Sequence, residues 1–111
     1  MMSPDYNLIH RPESKVLLSN VMDNDVEGVI RSFEKYRSPP HSKSQSGESA
    51  LEIAIRNENK YIVAYLIKYG ALPNAIEREA AFRKGNKEII ELVESGKYLK
   101  IIREYEFFKK E

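Results

Sequence analysis

Asn59-Lys60-Tyr61-Ile62-Val63-Ala64-Tyr65-Leu66-Ile67-Lys68-Tyr69-Gly70 restates Asp25-Val26-Glu27-Gly28-Val29-Ile30-Arg31-Ser32-Phe33-Glu34-Lys35-Tyr36, with Val63 following Val29 by 34 positions. Self-similarity at such a spacing marks an array of like supersecondary units. The same register pairs Leu17 with Leu51 and Val21 with Ile55, so the short helix before each stretch repeats too. Each unit reads helix, turn, helix. A third copy runs from Ala75 to Lys84 and then through Gly85-Asn86-Lys87-Glu88-Ile89-Ile90-Glu91-Leu92-Val93-Glu94-Ser95-Gly96. It is shorter, as terminal units often are.

Local signals bound these helices. Ser49-Ala50-Leu51-Glu52 has the S-x-x-E spacing of a capping box, in which hydroxyl and carboxylate satisfy each other's orphan backbone donors. Asn59 and Asn86 are N-cap residues for the second helices, Gly70 and Gly96 suit left-handed C-terminal positions, and Pro73 blocks continuation. Ile62, Val63, Leu66 and Ile67 form a buried stripe at helical spacing. Gly28 is a weak spot in the first unit's second helix, costing about 1 kcal/mol relative to Ala. From Arg37 to Glu48 the run Ser38-Pro39-Pro40-His41-Ser42-Lys43-Ser44-Gln45-Ser46-Gly47 predicts a long, mobile loop. Tyr98, Ile101, Ile102, Tyr105 and Phe108 predict a final amphipathic helix.

Residues 47–71 resemble one ankyrin repeat. Gly47, Leu51, Ala54, Asn59, Val63, Leu66, Gly70 and Ala71 match the family pattern outright, and Asn74 is also in place. The family's T-P-L-H stands here as Ser49-Ala50-Leu51-Glu52, which keeps the capping hydroxyl and core leucine but loses the proline and histidine. The resemblance extends from about Lys15 to Lys97, through the second helices of the flanking units. It implies an all-α fold: a short solenoid of about three helix-turn-helix units at 14–37, 47–73 and 74–97, separated by the loop 37–48. An N-terminal arm (1–13) precedes the array, and a C-terminal helix (98–111) caps the last pair. It further implies a non-enzymatic module that binds another protein as scaffold, adaptor or steric inhibitor; a host-directed viral or bacterial factor is one form such a module takes. By register with the family's concave face, Met22, Asp23, Glu52, Ile53, Arg56, Asn57, Arg83 and Lys84 are the expected contact residues.

Physics asks for the same arrangement. A helix pair with one apolar face cannot bury it alone, so stability comes from stacking neighbours, and the ends need covers. Tyr98, Ile101, Ile102 and Tyr105 are the expected cover for the last pair. Tyr61 and Tyr65 fall toward the flank away from the Ile62 stripe, as partly exposed interface anchors or as packing on a neighbouring unit.

Composition narrows the chemistry. The 111 residues carry 18 Lys plus Arg against 17 Asp plus Glu, a net charge of +1 that supplies no field attractive to nucleic acid. With 41% hydrophobic and 32% charged residues the chain is neither disordered nor membrane-like in composition, and it contains no run long enough to span a bilayer. The absence of cysteine removes disulfides and thiol chemistry. The N-terminal stretch lacks a signal-peptide core, so cytoplasm or nucleoplasm is the expected location. His10 and His41 lie in predicted loops without carboxylates at helical spacing, no phosphate-binding or nucleophile motif occurs, and no cofactor is expected.

The one rival signal is Asp23-Asn24-Asp25-Val26-Glu27-Gly28-Val29-Ile30-Arg31-Ser32-Phe33-Glu34, which has the spacing of an EF-hand calcium loop. It would make the chain a calcium-binding switch. Glu27 is long for its position, Arg31 places a positive charge among the ligands, and Pro39-Pro40 shorten the exit helix. Self-association is open to either reading.

Overall fold

The computed structural model describes residues 11–110. Among them it is all-helical: α1 (Pro12–Met22), α2 (Val26–Glu34), α3 (Ala50–Arg56), α4 (Lys60–Lys68), α5 (Ala75–Lys84), α6 (Lys87–Ser95) and α7 (Leu99–Lys109). Of the N-terminal arm expected over 1–13, residues 1–10, including His10, lie outside the described residues, and α1 already starts at Pro12.

The helices associate in consecutive pairs, α1 with α2, α3 with α4, α5 with α6, and the pairs stack. An inner row forms where α3 packs against both α1 and α5. An outer row forms where α4 packs against both α2 and α6. Each pair is closed by the same turn chemistry. A residue with positive φ (Asn24 at 56°, Glu58 at 54°, Gly85 at 76°) reverses the chain. An Asx N-cap follows at once: Asp25 accepts from the Gly28 amide, Asn59 from that of Ile62, Asn86 from that of Ile89. These bonds satisfy amides that the first helical turn leaves orphaned. Neighbouring turns touch, since the Asn59 side-chain amide donates to Asn24 at 3.2 Å.

The stacking surfaces are apolar. Leu17, Val21, Val29, Ile55, Ile62, Val63, Leu66 and Ile89 are all fully buried, and Ile90, in register with Val29 and Val63, is half-buried. One polar connection crosses the inner row. Ser49 and Glu52 form the expected capping box on α3, and Asn74 with Glu77 forms a second one on α5. The Ser49 hydroxyl also donates to the buried Glu77 carboxylate at 2.5 Å. The Glu77 carboxyl thereby joins the N-terminal turns of two helices through hydrogen bonds with Asn74 and Ser49.

Three readings need correction. The segment 37–48 is tied down, not mobile: Ser38 and Ser42 are buried, the Ser38 hydroxyl donates to the Glu13 carbonyl at 2.7 Å, and Lys43 pairs with Ser49 in an antiparallel bridge. The segment 23–34, which carried the rival calcium-loop reading, is a turn followed by helix. Val26–Glu34 is helical, so its carboxylates cannot wrap an ion, and Asp25 is engaged as the N-cap of α2. Finally, α7 does not cap the last pair. It packs on α4 at the centre of the outer row, and Ile76 and Phe82 on α5 stay largely exposed.

Gly28 also changes meaning. The Asn20 side-chain amide donates to the Gly28 carbonyl at 3.0 Å and to the Ser32 hydroxyl at 2.9 Å, which itself donates to the Gly28 carbonyl. A Cβ at position 28 would stand 2.6 Å from Asn20 Cγ. In the next pair the same two positions hold Ala54 and Ile62, so small and large have exchanged sides. Gly28→Ala is therefore expected to destabilise the protein by about 1–3 kcal/mol through overpacking, against the gain of about 1 kcal/mol that helix propensity alone gives. A urea unfolding midpoint above that of the parent chain would contradict this.

Candidate functional site

The outer row of helices is closed by α7. Ile101 and Ile102 are buried beneath it, and the Tyr105 ring packs on Tyr61 and Tyr65 at centroid distances of 5.3 and 5.9 Å. Ionic contacts fasten both flanks. On the α2 side, Glu27 accepts from the Tyr105 hydroxyl at 2.5 Å and from Lys109 at 2.8 Å. On the α6 side, Lys60 bridges Glu88 at 3.1 Å and Glu104 at 3.0 Å.

The titration of these groups follows from the contacts. Hydrogen bonds from Lys109 and then Tyr105 hold the Glu27 carboxyl below its ordinary pKa. Burial opposes the charge on Lys60, but Glu104 and Glu88 outweigh it and raise the net value. Burial, with Glu106 and Glu27 nearby, pushes Tyr65 up to about 12. Burial and the bond to Glu27 push Tyr105 upward as well.

The tyrosines named as interface candidates belong to this closed side. Tyr65 is 3% exposed and Tyr61 half-buried, so neither offers a free anchor. Tyr61 lies on the flank of the core stripe and is partly buried, whereas Tyr65 belongs to the buried core itself. What the helical wheel could not show is that α7 turns back to lie on that flank.

The inner row stays open. A groove of about 380 Å³ runs between α3 and α5, lined by Glu48, Glu52, Ile55, Arg56, Ala80, Arg83 and Lys84. A hollow of about 330 Å³ beside α1 is lined in part by Lys15, Met22, Asp23 and Gln45. The groove gathers Glu52, Arg56, Arg83 and Lys84 of the residues chosen from sequence, and Met22 and Asp23 line the separate hollow. Met22 is half-exposed, and Asp23, Arg56, Asn57, Arg83 and Lys84 are exposed. Arg56 pairs with Glu48, and Arg83 with Glu79 at 2.7 Å, both at the surface. Glu52 is half-buried, and its carboxylate is engaged with the Ser49 amide at 3.3 Å. Ile53 is a correction. It is fully buried, because the seven-residue α3 is packed against α1, α4 and α5 and points that side chain inward.

Sequence reasoning missed Glu77 and the capping box it forms with Asn74, although the Asn-x-x-Glu spacing was readable there. Among the described residues, no group of three His, Cys, Asp or Glu side chains is placed to hold a metal ion, and His41 stands exposed. No helix among them is long and apolar enough to cross a membrane. Comparison of the chain with models of known protein families, with curated proteins and with solved structures finds no match.

Because the Glu27 pKa is depressed on folding, the stability it supplies is present above the ordinary glutamate value, about 4.3. It is lost as pH falls through the lower folded value. Glu27→Gln is expected to remove that part of the acid response and to loosen α7 already at neutral pH. Near-UV circular dichroism of the tyrosines would report it, and identical acid titrations of variant and parent would rule it out.

Proposed function

We propose that the chain is a short ankyrin-like array whose inner edge binds another protein, acting by scaffolding or steric occupation and not by catalysis. The observation that carries this reading is the threefold recurrence of one device, a positive-φ residue followed by an Asx cap, at Asn24-Asp25, Glu58-Asn59 and Gly85-Asn86. Stacked pairs of that kind present one turn after another along a line, with the inner helices beside them. Support also comes from the unequal fate of the two faces. The middle of the outer one is covered by α7, with hollows left at both of its flanks, while the inner one keeps exposed Arg56, Asn57, Arg83 and Lys84 around an open groove. Exposed, weakly paired charges at a rim suit steering and selection of a partner.

Two exposed cations with no role in the core test the reading. Arg56→Glu combined with Arg83→Glu is expected to leave unfolding unchanged and to weaken capture of the partner from cell extract by about tenfold or more, roughly 1.4 kcal/mol. Capture at the parent level by a correctly folded double variant would contradict it.

A further inference from the structure

The three turns of the array form a charged edge with opposite signs at its two ends. The first turn carries Asp23, exposed and free of any ion pair among the described residues. The middle turn carries Arg56 and Glu58, formally balanced in charge, with Arg56 paired to Glu48 in its own chain. The third carries Lys84 and Lys87, both exposed and likewise unpaired among the described residues. The turns are adjacent and in order: Asn59 bonds to Asn24 across the first gap, and Lys60 bonds to Glu88 across the second. Packed helices lie about 8–10 Å apart, so the acidic and basic ends are separated by roughly 20 Å.

An edge that is negative at one end, neutral at the centre and positive at the other is complementary to itself when reversed. A two-fold axis through the middle turn sets Asp23 of one chain beside Lys84 of the next, and the reciprocal pair forms at the far end. The same operation brings Arg56 toward the second chain's Glu58, and the half-exposed Met22 toward the aliphatic stem of Arg83. Closed two-fold contacts of this isologous kind are the commonest in soluble oligomers.

We propose that this edge docks a second copy of the chain in antiparallel fashion, with Asp23 and Lys84 as the reciprocal ion pair. The inference rests on reading the inner edge as an interaction surface, and names the occupant. The contact is small and polar, so the dimer is weak and salt-sensitive.

Sedimentation equilibrium of the full chain at low and high salt tests this. The parent chain is expected to dimerise at low salt and to dissociate as salt is added. Asp23→Lys and Lys84→Glu are each expected to weaken self-association by at least about tenfold, because each homodimer would then contain two like-charge contacts. Mixed in equal amounts, the two variants are expected to recover the dimer, since both contacts of the mixed pair are again between opposite charges. That recovery also shows that both variants are folded.

A parent chain that stays monomeric at low salt overturns the proposal, as do single variants that dimerise normally or a mixture that remains monomeric. These outcomes separate from those of the broader reading. A monomeric parent whose capture of a different protein is lost on reversing Arg56 and Arg83 removes only the self-pairing. A salt-sensitive dimer with rescue but no foreign partner keeps it.

Discussion

Each helix pair in this chain has an apolar face that only the next pair can cover. The pair α3 and α4 shows the constraint most plainly. It stands between α1–α2 and α5–α6, and Ile55, Ile62, Val63 and Leu66 have no exposure. At roughly 25 cal/mol per Å² of apolar surface removed from water, this shared burial outweighs anything a seven-residue helix gains by itself. Polar contacts fix the spacing. Glu77 is tolerated inside because the Asn74 amide and Ser49 hydroxyl donate to it, so its burial leaves no carboxylate oxygen unmet.

The two faces of the stack are treated differently. On the outer side α7 returns across α4 and is fastened by Glu27 and Lys60, so the aromatic flank of Tyr61 and Tyr65 is spent on internal packing. On the inner side exposed Arg56 and Arg83 hold surface ion pairs with Glu48 and Glu79, and Lys84 is exposed beside them. The last pair meanwhile keeps Phe82 at 65% exposure, where the equivalent position one pair earlier, Ile55, is covered.

Much of the local structure was legible in the residues because caps and turns are short-range chemistry. Ser49 with Glu52, Asn59, Asn86 and Gly96 mark helix ends where the chain places them. Tertiary features were less legible. The Gly28 reading changed sign because its partner is Asn20, eight residues away on another helix, and propensity has no knowledge of that contact. Ile53 looked available by register, but a short helix with neighbours on several sides has little free surface. The serine-rich segment read as mobile by composition, yet Ser38 reaches Glu13 across 25 residues. The amphipathic pattern of α7 identified an apolar stripe without saying which helix it would meet.

Native-state hydrogen exchange tests the stacking most directly, because opening free energies should follow how many sides of each pair are covered. The amides of α3 and α4, flanked on both sides, are predicted to exchange slowest and only through global unfolding, while those of α5 and α6 open at lower cost. Exchange in α3 and α4 as fast as in α5 would mean that the pairs do not depend on one another, and would contradict the account.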